Sequence, residues 1–428
     1  MAEQNMLDLL AADKAEAFQA QLVGAHGHGP LSSVEEPNGV SKLGSKPAGS
    51  RADRATSFNL NDFKLPTGRE EEWRFTPVRE FAPLFTTEHN SDALTMDVSL
   101  APEVKAEVVE ASDPRLGHAG RPADRTAAAA WQAAGQAVVV TLPANTTASE
   151  LTSLTIKAAE RQSAAVKVLV QAEAGSSGIV MLDHQGNGIV NETVEIQVGE
   201  GADLTVVSVQ DWETGTPDAN GRLGDSGAIH AASHRAVLAK DATLKHVVVT
   251  LGGQAVRITP DVSFSDTGGN ATLLGTYFAD SGQHQEHRLF VDHGQPNCTS
   301  RVTYKGALQG QGAHAVWVGD VLIQADAFDT DTYELNRNLV LTEGARADSV
   351  PNLEIENGEI IGAGHASATG RFDDLQLFYL MARGIPEIEA RRLVVRGFFA
   401  ELINEIGIPE VQERLMASIE RELAQNAN

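Results

Sequence analysis

The densest group of potential metal ligands in the 428-residue sequence lies between residues 284 and 298. Its members are His284, Glu286, His287, Asp292, His293 and Cys298. Imidazole, carboxylate and thiolate groups are the ligands that soft or borderline transition metals prefer. On a strand, however, His284 and His287 would face opposite sides, and no pair of cysteines anchors the group. A solvated face of the fold or structural hydrogen bonding is therefore the favoured interpretation, and a metal site using His284, His287, His293 and Cys298 is the alternative.

A second candidate is His365, in the segment "GAGHASATG". A lone histidine beside small residues is usually structural. Here the small neighbours leave the imidazole unobstructed, as a ligand or proton carrier at an interface requires. Because no partner group stands near His365 in the sequence, we expect any function of this residue to be completed by another chain.

No motif for nucleotide hydrolysis accompanies these histidines. The segment "GVSKLGSK" from Gly39 has the glycine spacing of a phosphate-binding loop, but it lacks the Lys followed by Ser or Thr that such a loop requires. An ATPase activity would therefore have to come from a partner.

Charge and cysteine content limit the classes of partner and compartment. The chain has 33 basic and 58 acidic residues, a net charge of −25, which disfavours binding to nucleic acid or to an anionic membrane surface. A single cysteine excludes a disulfide framework within one chain and is typical of a reducing compartment. The N-terminus lacks the basic start of a signal peptide, and no apolar run approaches the roughly 20 residues of a membrane span. We expect a cytoplasmic protein.

The first 165 residues predict a helical or mixed region. Apolar residues at helical spacing predict a first helix over residues 1–18. Residues 24–57 are crowded with Gly, Pro and Ser and predict a flexible linker. The segment "LPTGREEEWRF" that follows predicts a turn and a short helix.

Residues 166–370 predict a β-solenoid core. A small turn, an alanine and a short alternating strand recur at Ala202, Ala242, Ala271, Ala313 and Ala345. The spacings of 40, 29, 42 and 32 residues are too uneven for a propeller, and small residues fit the corners of stacked turns. The unpaired strands at the ends of such a stack need a cap or serve as an interface. An ordinary β-sandwich or barrel is the alternative.

Residues 371–428 predict three short amphipathic helices. Their segments are "DDLQLFYLMARGI", "PEIEARRLVVRGFFAELINEIG" and "PEVQERLMASIERELA". Helices of this kind can pack on the solenoid or present a face to a partner.

Three segments resemble the SufB/SufD family of iron-sulfur cluster assembly proteins. They are "LPTGREEEWRFTP" from Leu65, "DHGQPNCTSRVTYKGAL" from Asp292 and residues 330–380, and the last lies closer to the SufD branch than to SufB. The resemblance implies a right-handed parallel β-helix with helical terminal domains. It also implies pairing with a SufB-like subunit through the β-helix and with a SufC-like ATPase through the C-terminal helices.

The resemblance also assigns roles to residues. His365 matches a family histidine that faces a SufB cysteine at the subunit interface, whereas the neighbouring family cysteine is Ala363 here. It implies a transient iron-sulfur cluster or iron at that interface and no cofactor held tightly by the isolated chain. Docking of the SufC-like ATPase is predicted for Phe378, Tyr379, Arg383, Phe398, Phe399, Leu402 and Ile406.

Two hypotheses of different classes follow. The first is a non-enzymatic scaffold subunit of an ATP-driven SufBCD-type complex that assembles iron-sulfur clusters. The alternative is a β-solenoid metal-binding protein or enzyme that uses the residues from His284 to Cys298. The sequence leaves open whether the chain also forms a homodimer.

Overall fold

The structure is a computed structural model that describes residues 53–90, 93–218, 223–224 and 226–425. The predicted helix over residues 1–18 lies outside the described residues, as does the predicted linker up to residue 52. In the part of the chain that is described, no helix combines the length and apolar character needed to cross a bilayer.

Eighteen strands and five α-helices make up the regular structure of the described residues. The strands are β1 (Leu94–Ser99), β2 (Lys105–Glu110), β3 (Gln136–Leu142), β4 (Thr152–Ala158), β5 (Ser163–Ala172), β6 (Ser177–Gly186), β7 (Ile189–Val198), β8 (Asp203–Trp212), β9 (Ile229–Leu238), β10 (Thr243–Thr250), β11 (Ala255–Phe264), β12 (Asn270–Ala279), β13 (His284–His293), β14 (Thr299–Leu308), β15 (His314–Ile323), β16 (Asp331–Val340), β17 (Arg346–Ile355) and β18 (Gly362–Arg371). The helices are α1 (Val78–Phe81), α2 (Arg125–Ala133), α3 (Asp374–Ala382), α4 (Glu387–Ile406) and α5 (Pro409–Gln425), and short 3-10 turns span Leu60–Asp62, Glu71–Trp73 and Ala82–Phe85.

The strands form two nine-stranded sheets. Sheet 1 has the order β1-β4-β6-β8-β10-β12-β14-β16-β18, and sheet 2 has the order β17-β15-β13-β11-β9-β7-β5-β3-β2. From β3 onward, successive strands alternate between the sheets, and from β5 onward each strand pairs in parallel with the strand one turn earlier. This is a parallel β-solenoid of about eight turns, so the predicted mostly β fold is confirmed.

The solenoid interior follows from period-2 alternation in the strands. Leu204 and Val206 of β8 point into the apolar interior, and Leu244 of β10 pairs in register with Leu204 to continue the same row. The predicted repeat alanines also face inward. Ala202, Ala242, Ala271 and Ala313 are buried in this interior, and Ala345 packs against it.

Both outer faces of the sheets are partly covered. On sheet 2, Trp73, Phe81, Leu84 and Phe85 of the N-terminal segment form an apolar cluster with residues such as Ile229. On sheet 1, α4 and α5 cover the valines of β8 and β10. These coverings explain why many strands are buried on both faces.

Among the described residues, β17 and β18 each have a neighbouring strand on only one side in their sheets. They lie at the same end of the solenoid, where the last turn has no further turn stacked on it. A row of unpaired backbone groups of this kind can bind another strand.

Candidate functional site at the open end of the solenoid

His365 lies on β18 and is exposed. Its side chain is on the inward face of the sheet, because Ala363 packs against the solenoid interior and Thr369 accepts a hydrogen bond from Asn338 of β16. The imidazole is therefore presented at the open end of the interior rather than on the outer wall.

Glu334 is the register partner of His365 on β16. Its side chain is 1% exposed, and neither carboxyl oxygen has a hydrogen-bond partner. A side chain at Gly319 would collide with this carboxyl, since a Cβ there would lie 2.6 Å from Oε1. Burial, reinforced by the nearby Asp320, raises the pKa of Glu334 from 4.5 to about 8. Next to the exposed histidine lies a buried carboxylic acid that keeps its proton near neutral pH.

The raised pKa makes a prediction about stability. Because the folded chain holds this proton more tightly than the unfolded chain, the protonated carboxyl favours folding. This contribution to stability is fully present below pH 4.5 and is lost as the pH rises towards 8. Glu334→Gln fixes the neutral form, so it should stabilise the chain by on the order of 3 kcal/mol at pH 7. Thermal unfolding at several pH values should show the advantage of the variant growing between pH 5 and 8. The same substitution at the exposed Glu343 should have no such trend, and a pH-independent difference for Glu334→Gln would contradict the assignment.

The residues from His284 to Cys298 do not share one site. On the outer face of sheet 2, the His284 Nε2 atom lies 3.0 Å from the Glu286 carboxylate and its Nδ1 atom lies 3.2 Å from His314. His287 points into the interior instead, where its Nε2 atom lies 2.9 Å from the Thr250 hydroxyl. Burial lowers the pKa of His287 to about 3. The expectation that these two histidines face opposite sides of the strand agrees with these contacts.

His293 and Cys298 occupy further separate positions. The His293 ring stacks on Phe264 with its centroid 4.9 Å away, and its Nε2 atom lies 2.9 Å from the Ser300 hydroxyl. Cys298 is buried, its sulfur lies 3.5 Å from the carbonyl oxygen of Pro296, and burial raises the pKa of the thiol. These side chains are used by the fold, which favours the hydrogen-bonding interpretation over a metal site.

The predicted ATPase-docking residues divide into an exposed and a buried group. On α3, Phe378 is 70% exposed, Tyr379 is 49% exposed, and Arg383 at the end of this helix lies against the Tyr379 ring. On α4, the side chains of Phe399, Leu402 and Ile406 are buried against sheet 1, and Phe398 is partly buried there. These side chains attach α4 to the solenoid in the isolated chain, and their role in docking the ATPase stays a prediction.

Sequence reasoning missed two sets of buried polar residues. Glu334 is one, and the other is a cluster in the interior formed by His184, Glu192 and His230. One available signal was the segment "HAASH", which places His230 and His234 on the same face of a strand. What the sequence could not show is that this face is the interior.

Comparison with known proteins identifies a matching family model and close relatives. The family model of the SufBD core domain of the SUF system for FeS cluster assembly matches residues 154–398. A SufBD family protein of iron-sulfur cluster assembly from Mycobacterium tuberculosis is 50% identical over 384 residues, which cover 88% of this chain and 94% of the relative.

More distant relatives carry the name SufD. The iron-sulfur cluster assembly protein SufD of Bacillus subtilis is 40% identical over 119 residues, which cover 28% of this chain and 27% of the relative. SufD of Escherichia coli is 30% identical over 196 residues, which cover 45% of each chain. With a family model that matches more than half of its length and a relative aligned over nearly all of it, the chain belongs to the SufBD family of iron-sulfur cluster assembly proteins.

Proposed function

We propose that this chain is a SufD-like scaffold subunit that pairs with a SufB-like subunit, docks a SufC-like ATPase and acts in the cytoplasm without enzymatic activity of its own. The observation that carries the proposal is the position of His365, exposed on the inward face of the last strand of sheet 1. A partner strand added at this edge would bring its own side chains next to the imidazole.

The proposed chemistry is mixed ligation of the cargo cluster. A neutral imidazole can coordinate iron, and Ala363 offers no thiolate beside it. The thiolates would therefore come from the SufB-like subunit. Because one ligand is imidazole, the nascent cluster would be held less permanently than by four thiolates, as a scaffold that releases its product requires.

Copurification tests the pairing. The full chain, tagged and coexpressed with SufB-like and SufC-like proteins, should purify with both of them. The purified complex should bind iron and sulfide when supplied with Fe²⁺ and a sulfide source. Recovery of the chain as a stable homodimer free of both partners would contradict the proposal.

We assign docking of the SufC-like ATPase to the exposed apolar face of α3. Leu375 and Phe378 are 79% and 70% exposed, and adjacent exposed apolar side chains of this size are typical of a protein interface. The buried face of α4 holds this region on sheet 1. Motion of the ATPase could thereby be transmitted to the solenoid.

Phe378→Ser should weaken binding of the SufC-like ATPase by roughly 30-fold, the loss typical of an aromatic hot spot. The substitution removes an exposed ring, so thermal unfolding of the chain should change little. Val108→Ser is a matched control, because Val108 is 63% exposed and lies on β2, at the end of sheet 2 opposite β17. Equal dissociation constants for the two variants, measured by calorimetry, would argue against docking on α3.

A further inference from the structure

A cluster of histidines surrounds one carboxylate inside the solenoid. Glu192 of β7 is opposite Ala232 of β9, so His230 and His234 flank it two positions to either side on the same face. His184 approaches from β6 in the other sheet. The Nε2 atoms of His184, His230 and His234 lie 3.0, 3.3 and 3.9 Å from Glu192 Oε2. The four side chains are at most 1% exposed.

Two groups behind His230 lie within hydrogen-bond distance of its Nδ1 atom. Gln210 Oε1, which accepts from the Trp212 indole over 2.8 Å, lies 2.7 Å from Nδ1. The indole N–H itself lies 3.2 Å from Nδ1. When Nδ1 donates to the shorter contact, Gln210 Oε1, the lone pair of Nε2 faces the Glu192 carboxylate.

His184 is held in the same way. Its Nδ1 atom lies 3.0 Å from the backbone carbonyl of Val209, which can only accept, so Nε2 of the neutral ring again faces Glu192. His230 Nε2 and His234 Nε2 have no hydrogen-bond partner. Several acceptors thus converge on one buried carboxylate oxygen, an arrangement that needs a positive charge between them.

The geometry points to a binding site for one divalent first-row transition metal ion, best suited to Zn²⁺, with His184, Glu192 and His230 as ligands. Zinc bound tetrahedrally at about 2.0–2.1 Å requires ligand atoms about 3.3 Å apart. The distances from Glu192 Oε2 to His184 and His230 are close to this value. His234, at 3.9 Å, lies outside the group of three converging ligand atoms.

Two features favour a structural ion. Metal-bound histidines usually engage their second nitrogen in a hydrogen bond, as His184 and His230 do here. The three ligands have no solvent contact, and an ion there would connect β6 of sheet 1 to β7 and β9 of sheet 2. Since the cluster is buried, the ion would enter during folding.

A single proton is the competing source of charge. A protonated His184 would donate to Glu192 Oε2 over 3.0 Å and satisfy that contact. It would leave the lone pair of His230 facing the same oxygen at 3.3 Å.

The test is the metal content of the full chain unfolded with a chelator and refolded with Zn²⁺, Fe²⁺ or Mn²⁺ alone. We expect close to one Zn²⁺ per chain after removal of free ion, with a zinc X-ray absorption spectrum of nitrogen and oxygen ligands. A chain that refolds to the native circular dichroism spectrum but binds none of the three metals would overturn the proposal. The proton-bridged cluster would then remain as the explanation.

Matched variants assign the ion to this cluster. His230→Ala should lose the bound zinc, whereas His293→Ala, at another inward-facing buried histidine, should keep it. Gln210→Ala leaves the ligands in place but removes the hydrogen bond to His230, so zinc affinity should fall by about 10- to 100-fold. Retention of zinc by a folded His230→Ala chain, with affinity unchanged in Gln210→Ala, would place the ion elsewhere and contradict the assignment.

Discussion

His365→Ala should remove most of the iron and sulfide bound by the purified complex with SufB-like and SufC-like partners, while the three subunits still copurify. We expect the bound iron and sulfide to fall by more than about tenfold. Removing even a residue that only hydrogen-bonds to a metal ligand lowers metal affinity by about 10- to 100-fold. The substitution removes the imidazole of an exposed residue, so neither the core of the solenoid nor the backbone edge of β18 is altered.

The controls separate a ligand from a histidine that only supports the fold. His118→Ala changes another exposed histidine and should leave cluster formation unchanged. The same change at His284 or His287 should have a mild effect, since both side chains are hydrogen-bonded within the chain. Full assembly by the His365→Ala complex, measured as iron and sulfide per complex, would remove the residue from the mechanism.

The solenoid could be predicted from sequence because its turns repeat a local pattern. Ala202 and Ala242 lie one turn apart, as the pairing of Asp203 with Thr243 shows, and the pairing of His314 with Arg346 places Ala313 and Ala345 in the same relation. Ala271 instead lies at the start of β12 in sheet 1 and Ala313 precedes β15 in sheet 2, which accounts for one of the uneven spacings. Alternation and small turn residues therefore identified the architecture but not the register.

The orientation of the C-terminal helices was beyond the sequence. Periodicity identifies an apolar face but does not say whether that face meets the chain's own sheet or a partner. The buried Phe399 and the exposed Phe378 read alike in the sequence. Their difference arises because sheet 1 offers an apolar outer face, with Val207 and Val247 among its residues, that α4 covers.

The interior polar residues were hidden for a related reason. All of β7 except Gln197 is buried, so alternation along that strand does not distinguish the interior from the outer face. Glu192 could be read as an exposed carboxylate in an ordinary strand. Only the stacking of β7 on β9, across 40 residues of sequence, places it between two histidines.

Arg257→Met should destabilise the fold by about 3–5 kcal/mol, because removing one partner of a buried ion pair leaves an uncompensated charge. Arg257 is 2% exposed and lies on β11, where its Nη1 atom donates to the Asp124 carboxylate and its Nε atom lies 3.3 Å from Glu286. Its guanidinium also lies 4.2 Å from the centre of the Trp73 ring. The side chain thus joins the N-terminal segment to sheet 2.

The effect should depend on pH in a defined direction. Burial raises the pKa of Asp124, but the Arg257 charge and its hydrogen bonds outweigh this effect and lower the pKa below 3.8. Stability from a lowered carboxyl pKa is present above the ordinary value and is lost as the pH falls through the folded value. Arg257→Met removes the charge that lowers this pKa, so the difference in stability between wild type and variant should shrink in acid.

Arg301→Met provides the matched comparison for this substitution. The Arg301 ion pair with Asp331 is partly exposed, with 43% and 33% of the side chains accessible, so its loss should cost no more than about 1 kcal/mol. Thermal and denaturant unfolding of the three proteins at pH 7 and at pH values below 3.8 would measure both effects. If Arg257→Met were no more destabilising than Arg301→Met, the N-terminal segment would be held on sheet 2 by its apolar contacts through Phe81 and Leu84, with the buried charges contributing little.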